Sequence, residues 1–563
     1  MKETEQADNR ISQSILKKPE WSSVRALYKA MGYSDHELAC PQIGIFNTYN
    51  SGNPGHFNLN QVAEYVRRGV LQAGGNPVDV GTIGPCDGIG CGNTGMHYIL
   101  PSRELIADSV ETIAELQHFD GLVLLGSCDK VIPGLLMAAA RLDRPTILVN
   151  GGPALGGIEF CGRASDNSTM VEALAMLRDG KITQMEYDQL EDFSNPTCGS
   201  CSYLGTANTM CAVAEAMGMI LPGGSMIPAV FAERLRVAQK SGRQIVELVR
   251  RNITARNMIN QEGLENALRL GMAIGGSTNM ALHFPAIARE ANVRFGIDDI
   301  DLIGRGTAHI ANIYPNGSKN VPEFYKAGGV PLVMKHLESL IHAEAMTCAG
   351  VSWREALRDV KPVENEIIHS LQHPFHQNGS LAVVRGNLAP DGGITKPTAI
   401  DPSMLIFTGR AMCFDSEEDA ADAVEQHRVP DQTVMVIRYE GPKGGPGMRE
   451  MVRIMKKLYG QGKALTTAVV TDGRFSGSNN GCFVGHISPE AASGGPIAYA
   501  RDGDWITIDI PDGTLHIDVT EEEFARRRNK GLKEHPLSEK GYLARYARLV
   551  GSAAGGAIVG EGF

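Results

Sequence analysis

The stretch Gly121–Lys130, GLVLLGSCDK, ends an apolar Leu/Val run in a cysteine, an aspartate and a lysine. Consecutive apolar residues bounded by glycines predict a strand buried on both faces, as in a parallel sheet covered by helices. In such sheets the loops at the carboxyl ends of the strands line the ligand crevice, which puts Cys128, Asp129 and Lys130 where chemistry occurs. A thiolate is a soft donor suited to iron and a carboxylate a hard donor suited to magnesium, so one loop offers ligands to two unlike metals. Standing alone, Cys-Asp-Lys is better explained as a buried thiol beside an ordinary ion pair, so the decision rests on the rest of the chain.

Outward from this strand, short apolar runs such as PTILVNGG (Pro145–Gly152) alternate with helical patterns such as Gln244–Asn257. That alternation predicts an α/β fold whose amino-terminal domain, residues 1–365, is built on a mainly parallel sheet. From about Gly379 the texture changes to short β-rich pieces with glycine turns: SLAVVRGNLAPDGG, TVMVIRYEGPKGG, ALTTAVVTDG and WITIDIPDGTLHIDV. These predict a carboxyl-terminal β-barrel-like domain over residues 366–563. Pro362 and Pro374 break the helical pattern between Val360 and Gly379 and mark the linker. A chain of 563 residues is longer than one hydrophobic core usually serves, in keeping with two domains.

Hydrophobic residues at 43% and charged residues at 21% describe a soluble globular enzyme. The formal charge of −11, with no block of Lys or Arg, argues against a nucleic-acid surface and for a small polar substrate. No apolar run approaches the roughly 20 residues that span a bilayer. The polar, acidic start MKETEQADNR has no signal-peptide core, so the expected location is cytoplasmic. Eleven cysteines are too few and too scattered for a disulfide framework. Cys40, Cys161, Cys211, Cys348, Cys413 and Cys482 have no ligand context and are assigned to packing.

Four further segments carry chemistry. PTCGSCSYLGTANTM (Pro196–Met210) sets Cys198 and Cys201 at metal or redox spacing ahead of a predicted helix, whose amino terminus favours thiolate; a zinc site would need a second such pair. TIGPCDGIGCGNTGM presents Cys86, Asp87 and Cys91 in a glycine-rich loop, where the simpler reading of Asp87 is a turn former. RYEGPKGGPGM (Arg438–Met448) closes a β-run on Glu440 and lacks P-loop spacing. TDGRFSG (Thr471–Gly477) puts Ser476 in a tight loop after a strand, although most such serines only cap or turn.

Together with PSRELIADSVE, GGSTNM and DGGITKP, these segments resemble the dihydroxy-acid and sugar-acid dehydratase family, most closely its dihydroxy-acid branch. The resemblance implies an α/β domain followed by a β-barrel domain, a homodimer or homotetramer, and an active site between domains. It implies an iron–sulfur cluster held by Cys128 and Cys201, and Mg2+ held by Asp87, Asp129 and Glu440. Lys130 matches a carbamylated lysine that adds an oxygen ligand, and Ser476 the proton acceptor. One departure stands out: Pro54-Gly55-His56 replaces the Pro-Cys-Asn of members with a two-iron cluster, which leaves the third thiolate to Cys198 or Cys86 and the cluster as two-iron or four-iron. The implied reaction converts a 2,3-dihydroxy carboxylate to a 2-keto acid in valine and isoleucine synthesis. The alternatives are an aldonate or phosphogluconate dehydratase and, outside enzymes, an iron–sulfur sensor.

Overall fold

The computed structural model describes residues 10–451, 453–475, 481–532 and 540–560. Strands β1 (Gln42–Asn47), β2 (Asn76–Gly81), β3 (Gly121–Leu125) and β4 (Thr146–Val149) form a sheet of order β2-β1-β3-β4 in which every pair is parallel. All of β3 is buried, as its unbroken apolar run requires. Leu122, Val123, Leu124 and Leu125 have no exposed surface. Burial of each stabilises the fold by about 1.5–3 kcal/mol.

The sheet is covered by α1 (Leu59–Gln72), α2 (Ser102–Gln117), α3 (Val131–Leu142), α4 (Thr206–Ala216) and α5 (Ala232–Arg251). Helix α5 starts at Ala232, well before the expected Gln244, because its first turns are polar on the exposed side and hide the periodicity. It ends at Arg251, where Asn252 turns left-handed at φ 51°. Helices α1 and α5 meet backbone to backbone. A Cβ on Gly69 would lie 2.1 Å from the Gln239 carbonyl oxygen, and one on Gly242 would lie 2.0 Å from that of Val66, so glycine at both positions permits the crossing.

In the carboxyl-terminal half, β5 (Ala382–Gly386), β6 (Ala389–Thr395), β7 (Ile406–Phe414), β8 (Thr433–Ile437), β9 (Thr467–Thr471), β10 (Phe483–Ser488), β11 (Trp505–Asp509) and β12 (Thr514–Ile517) close into a barrel. Its order is β8-β9-β10-β6-β5-β12-β11-β7, with parallel and antiparallel pairs mixed. Alternate residues of β8 and β9 go to opposite sides. Val434, Val436, Ala468 and Val470 join one core, while Met435, Ile437 and Val469 pack with Ile454 and Leu458 in another. Both faces are therefore apolar, which explains the unalternating TVMVI and TTAVV. Residues 360–379 contain neither helix nor strand and are pinned to the first half by bridges Ala311–Ile368 and His309–His376.

The end of the described chain returns to the first half. Tyr542 donates to the Pro101 carbonyl at 2.6 Å, and Arg103 Nη2 donates to the Gly556 and Ala557 carbonyls at 2.8 Å each. Leu100, Leu282, Met448 and Tyr546 pack together, joining residues from both halves. Among the described residues no helix is long and apolar enough to cross a membrane.

Candidate functional site

Because β1 to β4 are parallel, the loops after them emerge at one edge of the sheet. The loop after β1 carries Asn53, Gly55 and His56, the loop after β2 carries Cys86 and Asp87, and the loop after β3 carries Cys128, Asp129 and Lys130. Asn53 joins all three. Its amide donates to the Gly84 and Pro85 carbonyls at 3.1 and 3.2 Å, its side-chain oxygen accepts the Gly55 N–H at 2.9 Å, and the Cys128 thiol lies 3.3 Å from that oxygen.

His56 holds the turn that presents Cys128. Its Nε2 accepts the backbone N–H groups of Ser127 and Cys128, both at 3.1 Å, which leaves Nδ1 as the protonated nitrogen donating to the Thr48 carbonyl at 2.8 Å. Burial keeps this imidazole neutral, with its pKa lowered to about 4. Across the crevice, the loop before α4 is tied to the loop after β4. The Ser200 N–H reaches the Gly152 carbonyl at 3.0 Å, and Asn208 of α4 donates to the carbonyls of Cys201 and Tyr203 at 2.5 and 2.8 Å.

Cys86, Cys128 and Cys201 thereby line one cavity of about 260 Å³, together with Asp87, Gly55, Thr197 and Ser200. The Cys86 and Cys128 thiols are near enough to perturb each other. Cys86 is the one poised to ionise, its pKa lowered to about 7 by the Cys128 thiol and by the N–H groups of Ile89 and Gly88, against burial and the Asp129 charge. Cys128 is pushed up by Cys86 and by burial, and Cys201 by burial and the charge of Asp87. Cys198 is not in this cavity. It lines an adjoining groove with Ser51, Gly52 and Phe57, across the shared wall of Pro54, Asn195 and Thr197.

The hard donors stand beside the thiols. Lys130 and Asp129 are buried and paired, Nζ to Oδ2, at 2.5 Å. Burial holds the Asp87 carboxyl well above its ordinary pKa, and the neighbouring charges of Asp129 and Glu450 add to the effect. Burial and Arg474 lower Lys130, while Asp129, Glu450 and Asp87 oppose them. The electrostatic group is therefore Asp87, Asp129, Lys130 and Glu450, with carboxylates in excess of ammonium.

Glu440, the expected hard ligand of the second half, is placed otherwise. Its carboxylate accepts the Glu417 N–H at 2.7 Å and is clamped by Arg449 at 2.8 Å through Nε and 2.5 Å through Nη2, while Arg449 also binds Glu418. The acid that reaches the cluster is Glu450, on the short strand Glu450–Met451 paired with Arg474–Phe475. Arg474 holds Glu450 and donates to Asn279 of the GGSTNM segment at 3.0 Å. The two glutamates flank one glycine-rich segment, Glu440 before it and Glu450 after it, and neither side of that segment announces which acid reaches the thiols. Ser476 lies outside the described residues.

Sequence reasoning also missed Asp472, whose carboxylate receives the N–H groups of Tyr439, Glu440 and Ala491 at 3.1, 3.0 and 2.8 Å and so fixes the base of both carboxyl-terminal loops. Burial and the charge of Glu490 raise it to about 7. Nearer Lys130, the buried atoms Arg474 Nη2, His283 Nε2 and both ring nitrogens of His486 have no hydrogen-bond partner among the described residues. Burial drives His486 down to about 3, helped by the charges of Arg474 and Lys130.

These residues suit the groups the site would hold. Three thiols spread around a cavity of about 260 Å³ match a cluster of several irons better than a single ion; among the described residues no three thiols, imidazoles or carboxylates, Asp87, Asp129 and Glu450 included, already converge on one ion-sized point. The crowded carboxylates and the orphaned polar atoms suit a hard divalent cation and an oxygen-rich ligand.

Residues 40–356 match the family model described as dihydroxy-acid/6-phosphogluconate dehydratase N-terminal, and residues 366–557 match its C-terminal counterpart. The chain belongs to the dihydroxy-acid/6-phosphogluconate dehydratase family. A dihydroxy-acid dehydratase of Acetivibrio thermocellus is 45% identical over 550 residues, covering 97% of this chain and 99% of the relative. Those of Halothermothrix orenii and Pyrococcus furiosus are each 46% identical over 537 residues, 95% of this chain and 97% of the relative. As a member of this dehydratase family the chain is an enzyme, a hydro-lyase acting on a small molecule, which sets aside the sensor reading.

Proposed function

We propose that this dehydratase converts a 2,3-dihydroxy carboxylate to a 2-keto acid with an iron–sulfur cluster and Mg2+, and that its substrate is the branched-chain dihydroxy acid of valine and isoleucine synthesis. The observation that carries the reading is the meeting of soft and hard donors at one sheet edge. Cys128 and Cys201 are the cluster thiolates, and Asp87, Asp129, Glu450 and a carbamylated Lys130 are the magnesium ligands, with Glu450 in place of Glu440. The names of the near full-length relatives support the dihydroxy-acid substrate over an aldonate or phosphogluconate. A cytoplasmic homodimer or homotetramer belongs to the same proposal.

When bound, the two groups supply Lewis acidity at the C3 hydroxyl and charge stabilisation at the carboxylate and C2 oxygen. The protein's own part is positioning and proton transfer. His56 and Asn53 fix the Cys128 turn, Arg474 orients Glu450, and Asp472 anchors the backbone at Tyr439, Glu440 and Ala491. Ser476 is the proposed acceptor of the C2 proton, and the enol left by loss of water then tautomerises to the keto acid. A hydroxyl is a weak base, so this role requires cationic stabilisation close by.

The test is anaerobic turnover of iron-reconstituted, Mg2+-supplied enzyme on 2,3-dihydroxyisovalerate beside gluconate and 6-phosphogluconate, detecting keto-acid formation. A kcat/KM at least tenfold higher on the branched substrate is expected. Preference for a sugar acid would overturn the substrate assignment.

A further inference from the structure

Four loops reach the thiol cavity from the sheet edge, and the one expected to bring a cysteine brings bare backbone. Gly55, after β1, comes so close to Cys128 that a Cβ added to it would lie 2.8 Å from Cys128 Sγ and 3.5 Å from Ser200 Cα. The Gly55 N–H is held by Asn53 at 2.9 Å, so the approach is set by the loop itself. A side chain here would have to displace the sulfur it faces. The donor this loop does not supply must come from elsewhere on the cavity wall.

Four other cysteines in the first half are close enough in sequence or space to be considered. Cys211, on α4, is fully buried with its thiol 3.9 Å from the Ser127 carbonyl, packed in the core and off the cavity wall. Cys91 follows Cys86 in the glycine loop but does not line the cavity. Cys198 is turned away. Gly199, at φ +135°, presses so closely on the next loop that a Cβ there would lie 2.3 Å from the Ala154 amide nitrogen. At this pinch Cys198 goes to the groove shared with Ser51 and Phe57, and Cys201 goes to the cavity. Cys86 alone of the four lines the cavity with Cys128 and Cys201.

We infer that Cys86 is the third thiolate of the cluster, so that the thiol absent from the loop after β1 is supplied by the loop after its sheet neighbour β2. This inference rests on the iron–sulfur reading proposed above. It gives the site a repeated logic. Cys86-Asp87 and Cys128-Asp129 are both soft–hard dipeptides at the ends of strands flanking β1, so each loop serves both groups with adjacent residues. A change in one loop then disturbs cluster and magnesium together. Cys198 has no role in the cluster.

The experiment compares wild type, Cys86→Ala, Cys86→Ser, Cys198→Ala and Cys128→Ala, each purified and reconstituted anaerobically with iron and sulfide. Iron and sulfide per chain, visible charge-transfer absorption and low-temperature EPR after reduction are read, with the melting temperature of the metal-free proteins as the folding control. Cys198→Ala is expected to match wild type. Cys86→Ala is expected to melt like wild type without metal yet to bind the cluster at least about tenfold more weakly, the scale on which even outer-shell changes act. Cys86→Ser should retain part of the iron with a shifted EPR spectrum, because oxygen replaces sulfur, a change that a packing role would not produce. Wild-type iron content and EPR in both Cys86 variants, or loss in Cys198→Ala, would overturn the assignment. A wild type that takes up no cluster, or a Cys128→Ala variant that takes it up normally, would instead overturn the iron–sulfur reading, and the assignment with it.

Discussion

His56 holds Cys128 by its backbone: the imidazole Nε2 accepts the Cys128 N–H at 3.1 Å and the Ser127 N–H at the same distance. Two buried donors thus depend on one side chain. His56→Ala leaves both unsatisfied, at about 1–3 kcal/mol each, so the metal-free variant is expected to be destabilised by about 2–5 kcal/mol and to hold iron less well. Chemical unfolding followed by circular dichroism checks this, and an unchanged midpoint would show that the turn is held by other contacts.

Glu450 and Glu440 should separate by assay. Glu450→Gln removes a carboxylate from the field of Asp87 and Lys130, and turnover should fall at least about a hundredfold with a raised Mg2+ requirement. Glu440→Gln weakens a clamp in which Arg449 keeps Glu418, so a loss of about 1–3 kcal/mol in stability with a normal Mg2+ response is expected. The Mg2+ titration of activity decides, and reversed outcomes would restore Glu440 as the ligand.

Ser476→Ala should bind iron and Mg2+ as wild type does while kcat falls by about 10²–10⁴, the usual worth of a positioned proton acceptor. Near-normal turnover would remove the serine from the mechanism.

Glu215 predicts a pH signature away from the site. It is fully buried on α4 and accepts the N–H groups of Gly223 and Ser225 at 2.7 and 2.8 Å and the Ser225 hydroxyl at 2.5 Å, yet burial outweighs these bonds and raises its pKa to about 7. A folded-state pKa above that of the unfolded chain means that folding takes up a proton between the two values. Its contribution to stability is therefore full below about 4.5 and lost as pH rises through about 7. Glu215→Gln should flatten that part of the curve of melting temperature against pH. Parallel curves for the two proteins would refute it.

The strands were legible because their signals are local. An unbroken Leu/Val run bounded by glycines is buried on both faces, as β3 is, and the largely apolar runs of β8 and β9 are buried in the same way. The hairpins in SLAVVRGNLAPDGG and WITIDIPDGTLHIDV were legible for the same reason, since turn residues and alternation occur within a few positions. Helix α5 was read short because the polar faces of its first turns carry no periodic signal until packing against α1 reveals the buried side.

The amino-acid sequence by itself determined the fold class and the loops that gather the candidate donors, because strand–loop–helix order in a parallel sheet sends every such loop to the same edge. It placed Cys86, Asp87, Cys128, Asp129 and Lys130 on those loops and Cys201 ahead of a helix. Only the tertiary structure decided which donors meet. Glu440 and Glu450 flank one glycine-rich segment and each pairs with an arginine, but Arg449 holds Glu440 beside Glu418 while the pairing of Glu450–Met451 with Arg474–Phe475 brings Glu450 to Asp87 and Lys130. Cys198 and Cys201 are three residues apart, but the pinch at Gly199 sends them to different surfaces. The physical reason is range: strand formation depends on immediate neighbours along the chain, whereas charge pairing and the direction a side chain faces depend on segments that only folding brings together, as the next loop at Ala154 does for Gly199.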